Sequence, residues 1–386
     1  MNTYCSWAIL LTLVLVPAIT GTDVRADADG RASQDAVSPF RKDDIDGAIN
    51  ASSEAIRRNP NDADAYFKRA IANGKMGKIE NAIADFTDAI RLDPKRPAAY
   101  FGRGGAYHRI HSDEKAIADY SEAIQLDLKY AEAYSHRGVV RFEKGDYEGA
   151  LSDCDEAIRL DPELTGAHFC RAAVCQGMRE FDKAIDSYKE VIRLTPNIAG
   201  AHYALGTAYE CNREYDKALA ALSHAIQFRP KWPAALNDRG RVYMKTGEFD
   251  KAIADFRQAL TVDPKYAYAY EGVAWLQATC TDERFRDGKK AIENAKIACR
   301  LSGAKTWRYH DVLAAAYAEN GDFENARKCE TKAIGLAKND RFLTVQGKQA
   351  LLFRLDLYKE GKPFRSFGDR RALDGDPNPT SPNNKD

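Results

Sequence analysis

The chain has 386 residues, 44% hydrophobic and 30% charged, with 57 Lys+Arg against 57 Asp+Glu. That is ample material for a large core, while the zero net charge provides no field to attract nucleic acid or an anionic membrane. No phosphate-binding glycine loop, dinucleotide turn, nucleophile elbow or zinc-protease helix is present, so the common catalytic and cofactor signatures are excluded.

The first segment is an apolar run, Trp7 to Ile19, followed by small and polar residues that include Ala26-Asp27-Ala28. This is the pattern of a secretory signal peptide cleaved after Ala28, and the run is too short for a permanent membrane anchor. The expectation is an exported protein, periplasmic or extracellular, with a leader at 1–28 and a linker at 29–42. No other segment approaches membrane-spanning length, so no integral span is expected after leader removal.

From residue 43 a fixed period takes over. Pro60, Pro94, Pro162, Pro196, Pro230 and Pro264 fall on one ruler of 34 residues, and Leu128 fills the vacant mark. Such a period marks a solenoid, whose units bury their apolar faces by stacking on their neighbours. With the proline counted as mark 32, a half unit at 43–62 precedes full units beginning at Ala63, Pro97, Ala131, Thr165, Ala199, Pro233 and Ala267. Mark 8 is always Ala or Gly (Ala70, Gly104, Gly138, Ala172, Gly206, Gly240, Ala274). Mark 20 is Ala from Ala82 to Ala252, and mark 27 is Ala or Val from Ala89 to Ala259. Small residues there let two helices approach closely, and the aromatic residues Phe86, Tyr120, Tyr188 and Phe256 at mark 24 fill the gaps between. Gly77, Gly145 and Gly247 mark the turn inside a unit, so each unit reads as an antiparallel helical hairpin. Unit seven has about five extra residues around Thr281–Gly288, and an eighth unit starts at Trp307. The array thus occupies 43–340, a capping helix 341–363, and a tail rich in Pro, Asn and Asp, expected to be disordered, 364–386.

This pattern resembles the tetratricopeptide repeat. The stretch from Ala274 to Cys280, Arg286-Asp287-Gly288, Ala298-Cys299 and the closing Leu357 to Pro363 are similar to the carboxy-terminal end of bacterial tetratricopeptide proteins. The resemblance implies an all-α fold: a right-handed superhelical solenoid of antiparallel helical hairpins with a C-terminal capping helix. It also implies a non-catalytic scaffold without cofactor or metal, whose partner is another protein. In the family, first helices line a concave groove with marks 2, 5, 9 and 12 facing inward. Mark 5 here carries Phe67, Phe101, Phe169, Tyr203 and Asn237, and mark 9 of the sixth full unit carries Arg241. An exposed aromatic row of this kind implies a groove for a peptide or a helix segment. The family's terminal-carboxylate clamp is not expected, because Phe67 and Ile71, or Phe101 and Gly105, stand where it needs Lys and Asn. The alternative is a self-associating structural protein of the cell envelope.

Two further patterns bear on the interior. Mark 7 is Arg69, Arg103, Arg137, Arg171 and Arg239, and mark 23 is Asp85, Asp119, Asp153 and Asp255, whereas the unit with Leu205 has Ala221. The co-occurrence predicts structural salt bridges within each hairpin, with Arg171 and Ser187 as the exception. Seven cysteines follow the leader. In an exported protein some should pair, and the resemblance to proteins carrying both Cys280 and Cys299 implies a disulfide between them that staples the irregular unit. Cys154, Cys170 and Cys175, near His168 and His202, contain no Cys-x-x-Cys pair and read as small buried hydrophobes rather than a metal site.

Overall fold

A computed structural model describes residues 42–365 apart from 339, 341 and 342. The expected leader, nearly all of the linker and most of the tail lie outside the described residues. Two compact units result, one ending at Ala201 and the other beginning at His202. Among the described residues there are 18 α-helices and no strand.

In the first unit α1 (Lys42–Arg58) packs on α2 (Ala63–Lys75), and hairpins follow: α2 with α3 (Ile79–Leu92), α4 (Pro97–Arg109) with α5 (Asp113–Leu126), α6 (Ala131–Lys144) with α7 (Tyr147–Leu160), and α8 (Thr165–Gly177) with α9 (Phe181–Leu194). The next helix, α10 (Ala199–Cys211), enters the second unit with α11 (Tyr215–Phe228). Then come α12 (Pro233–Thr246) with α13 (Phe249–Val262), α14 (Ala267–Thr279) with α15 (Gly288–Ser302), and α16 (Trp307–Glu319) with α17 (Phe323–Ala337). The last helix, α18 (Val345–Lys359), covers α17. Within each unit, second helices pack on the next first helix, and first helices also touch one another.

The packing follows the small-residue ruler. The alanines at marks 20 and 27, from Ala82 to Ala259, are fully buried. At mark 8 two of the glycines leave no room for a side chain: a Cβ on Gly240 would lie 2.8 Å from the Phe256 ring, and one on Gly206 would lie 2.7 Å from Leu222. In the six regular units first helices end on a left-handed residue at mark 15. It is Gly77, Gly145 or Gly247 in three of them, but His111 (φ 56°), Arg179 (φ 66°) and Arg213 (φ 63°) in the other three. Between units Asp93, Asp127, Asp161 and Asp263 accept a hydrogen bond from the backbone N–H two residues on, at 2.9–3.3 Å, which fixes the turn before the next hairpin.

A charge ladder runs through the hairpins. Arg69, Arg103, Arg137 and Arg239 each donate two hydrogen bonds to the carboxylate of their own hairpin, Asp85, Asp119, Asp153 and Asp255, at 2.7–3.0 Å. The same arginines donate from Nη1 to a hydroxyl of the preceding hairpin: Ser53, Thr87, Ser121 and Ser223. Arg171 keeps both kinds of partner with their places exchanged. It donates to Ser187 of its own hairpin at 2.9 Å and pairs with Asp155 of the preceding one at 3.5 Å.

Two expectations need correction. Cys280 and Cys299 are not bonded to each other. The chain stays helical through Thr279, so antiparallel packing holds the two cysteines at opposite ends of their hairpin. Cys280 is buried with Met244, Phe256 and Leu276, while Cys299 faces the Tyr309 carbonyl at 3.6 Å. The insertion instead forms a short 3₁₀ turn at Glu283–Phe285 and places Gly288 against α16, where a Cβ would meet the Asn320 backbone nitrogen at 2.7 Å. Nor does the tail begin at 364, because Phe364 packs on Ala314, Ala318, Ala326 and Tyr358, an apolar cluster that holds it down.

Candidate protein-binding site

The aromatic residues at mark 5 do not form an open strip. Phe67 meets Phe86, Phe101 meets Tyr120 and Phe169 meets Tyr188, with centroids 5.5–5.8 Å apart, each pair joining marks 5 and 24 of one hairpin. Phe169 is fully buried. An aromatic residue at mark 5 therefore fills the space left by the small residues of the hairpin, which is core packing.

The fifth unit breaks this rule, and its exception builds a site. Mark 24 is there Leu222, so Tyr203 lacks a ring beneath it; it stacks on Trp232 at 4.6 Å and donates its hydroxyl to Asp238 Oδ2 at 2.6 Å. Asp238 Oδ1 accepts from Asn237 Nδ2 at 3.2 Å and from Arg241 Nη1 at 3.4 Å. Arg241 and Lys245, on the next two turns of α12, both reach Glu210 Oε1 of α10 at 3.2 Å. On α14 and α16, Glu271 accepts from Arg308 at 2.6 Å, and the Arg308 guanidinium lies 6.0 Å from the exposed ring of Tyr268. Of the expected groove residues, Tyr203, Asn237 and Arg241 thus converge, whereas Phe67, Phe101 and Phe169 belong to separate hairpin cores.

The electrostatics follow from burial. Burial alone would lift the Glu210 carboxyl, but Arg241 and Lys245 hold it at about 2. Asp238 moves the other way: burial raises it, Glu210 repels its negative form, and Arg241 offsets only part of this. One firmly ionised carboxylate and one that resists ionisation share a single guanidinium. Arg241, Lys245 and Arg308 are anchored on buried carboxylates yet keep 14–20% of their side-chain surface exposed. Anchoring from beneath orients these donors before any ligand arrives. Reading by period missed Glu210, Asp238, Glu271 and Arg308, since each stands at its mark in one unit only, and Lys245, whose mark carries Lys elsewhere only at Lys75.

Family models for the tetratricopeptide repeat match residues 131–164 and 233–266, and 308–340; a TPR repeat model matches 75–110, 112–143 and 180–212. The chain carries tetratricopeptide repeats. Such repeats form protein-interaction scaffolds, and their structural neighbours are generally non-catalytic. No curated protein matches this tetratricopeptide chain. Among solved structures it is similar to the APC/C hetero-tetramer Cut9–Hcn1, with TM-score 0.52 and 19% identity, covering 59% of this chain and 45% of that chain. The tetratricopeptide chain therefore spans less than half of that relative, and the likeness shows the shared fold. It is also similar to YrrB, described as a TPR protein with an unusual peptide-binding site (TM-score 0.42, 25% identity, 50% of this chain and 98% of that one). PilF of Pseudomonas aeruginosa gives TM-score 0.49 and 20% identity over 57% of this chain and 97% of that one.

Proposed function

We propose that the protein is a non-catalytic, exported scaffold that holds a peptide or helical segment of another protein on the first-helix face between Tyr203 and Arg308. The observation that carries this reading is the set of three cations, Arg241, Lys245 and Arg308, each anchored on a buried carboxylate with an outer edge exposed. Such edges donate hydrogen bonds to backbone carbonyls or acidic side chains of a partner. Tyr268, 38% exposed beside Arg308, offers the apolar surface on which a partner side chain rests. No chemistry is assigned to the cluster, whose carboxylates are all engaged in holding cations or hydroxyls.

The test is selection of ligands from a random peptide library on the intact protein, followed by affinity measurement on two variants. Lys245→Gln removes one of two cations on Glu210 but leaves it paired with Arg241, and Tyr268→Ala alters an exposed ring, so both should stay folded, as circular dichroism checks. Each is expected to weaken the selected peptides about five- to tenfold, equivalent to about one hydrogen bond or one exposed contact. Unchanged affinity in both would remove the site from this face.

A second reading, self-association, is favoured by Val345 and Leu352, 69% and 51% exposed and seven residues apart on α18. Light scattering tests it: an oligomer that dissociates in Val345→Asp/Leu352→Asp supports it, and a monomeric wild type ends it.

A further inference from the structure

After α18 the chain turns at a left-handed Gly361 (φ 70°), and Pro363 prevents the helix from resuming. The next two residues dock on side chains far away in sequence. The Phe364 ring lies 6.0 Å from Trp275 and 5.3 Å from the Arg354 guanidinium, which also lies 5.6 Å from the Trp275 ring. Arg365 Nη1 pairs with Glu319 Oε2 at 2.6 Å and donates to the adjacent Phe364 carbonyl at 3.1 Å and to the Ala278 carbonyl at 3.4 Å. Trp275 and Ala278 occupy marks 9 and 12 of α14, the first-helix marks on which a tetratricopeptide partner is expected to lie.

The acceptor for the basic residue is built in advance. Glu319 Oε1 is held at 3.1 Å by Arg286, and Arg286 in turn donates to the carbonyls of Cys280 and Thr281 at 3.0 Å. The extra residues of unit seven thus supply the arginine that fixes Glu319. Covering apolar surface would need Phe364 alone; a carboxylate and a carbonyl converging on Arg365 form a recognition geometry.

We infer that α14 and α16 form a binding site for a segment in which an aromatic residue is followed by a basic one, and that Phe364-Arg365 occupies this site in cis. The inference does not depend on the polar cluster between Tyr203 and Arg308. A short tether presents its own ligand at an effective concentration in the millimolar range, so a free segment competes poorly until the strap is released.

The probe is a fluorescently labelled peptide with the sequence of residues 360–365, titrated into the full chain and followed by anisotropy. The wild type, filled in cis, should not bind below about 1 mM. Phe364→Ala/Arg365→Ala, which vacates the site, should bind at least tenfold more tightly, and adding Glu319→Gln should remove most of that gain. If the double variant melts well below the wild type, Arg365→Ala alone replaces it, and a smaller gain, still reversed by Glu319→Gln, is expected. A vacated protein that binds the peptide no better than the wild type, or binds a scrambled peptide equally, overturns the inference and leaves the strap as a cap.

Discussion

Gly240 lacks a side chain because the Phe256 ring occupies the place where a Cβ would go, 2.8 Å from the nearest ring atom. The ring is fully buried and has little room to retreat. Gly240→Ala should therefore destabilise the protein by about 1–3 kcal/mol despite the better helix propensity of alanine, and a melting temperature equal to wild type would contradict it. His136 makes a second case. It is buried edge-on against Phe101, at 5.1 Å, and burial, with His108 a lesser influence, pushes its imidazole down to about 4. The unfolded chain takes up this proton near pH 6.5 and the folded chain only near 4, so stability is complete above 6.5 and falls with acidification between the two. At pH 5 the loss is about 2 kcal/mol, or roughly 4–8 °C in melting temperature for a unit of this size. His136→Phe should abolish that part of the drop between pH 7.5 and 5; an unchanged drop would place its origin elsewhere. At this scale the sequence was legible wherever a residue recurred. Small residues at mark 8 and rings at mark 24 recur, and they pack as a hairpin core. The mark-5 rings recur too, but periodicity does not distinguish a ring facing outward from one folded back on its own hairpin.

The hairpin shows what recurrence reveals and what it hides. Glycine announces a left-handed turn at mark 15 of three regular units, yet His111, Arg179 and Arg213 adopt the same conformation at that mark without any side-chain sign of it. A non-glycine residue there costs roughly 1–2 kcal/mol, of which glycine returns part through its freer unfolded state. Arg179→Gly should accordingly gain up to about 1 kcal/mol, read as a rise in melting temperature; a fall would mean that the Arg179 side chain contributes more than its backbone costs. The ladder carries a related lesson. Four Arg–Asp pairs at a spacing of 16 residues leave a regular trace, but the carboxylate of Arg171 has moved to Asp155, the mark where other arginines meet Thr87, Ser121 or Ser223. Asp155→Ser should cost about 0.5–1 kcal/mol, because this pair is half exposed. Adding Ser187→Asp should restore the loss by rebuilding the arrangement of the other hairpins, and a double variant no better than the single one would break the equivalence. The polar cluster escaped a reading by period for the same reason: Glu210 and Asp238 each stand once at their marks, and their meeting with Lys245 depends on which first helices touch.

In the whole molecule, stability is a sum over neighbouring hairpins, so the helix that closes the array governs how readily its last hairpins open. That closure rests on three ionisable groups in a dry site. Arg354 of α18 donates two hydrogen bonds to Asp311 of α16 at 2.8 and 3.0 Å, and its Nε lies 3.6 Å from Glu330 of α17. Glu330 is fully buried, with Tyr358 of the same capping helix nearby. Two carboxyls facing one guanidinium cannot both ionise there at low cost. Burial first, and then Asp311, push Glu330 well above the usual carboxylate range, while Arg354 opposes them. The folded protein therefore keeps a proton on Glu330 that the unfolded chain releases near pH 4.5. From that pH upward the folded state binds more protons than the unfolded state, so this group's contribution to stability declines as pH rises toward its folded value. Glu330→Gln keeps the shape and a hydrogen-bonding amide without a proton to lose. The melting temperature of Glu330→Gln relative to wild type should rise steadily between pH 5 and pH 8, and amide exchange should show α18 as the segment whose protection improves. Titrating groups outside the cluster of Asp311, Glu330 and Arg354 are common to both proteins and cancel in the difference. A difference that stays constant across this range would mean that Glu330 is ionised in the folded state and that Arg354 alone neutralises both carboxylates.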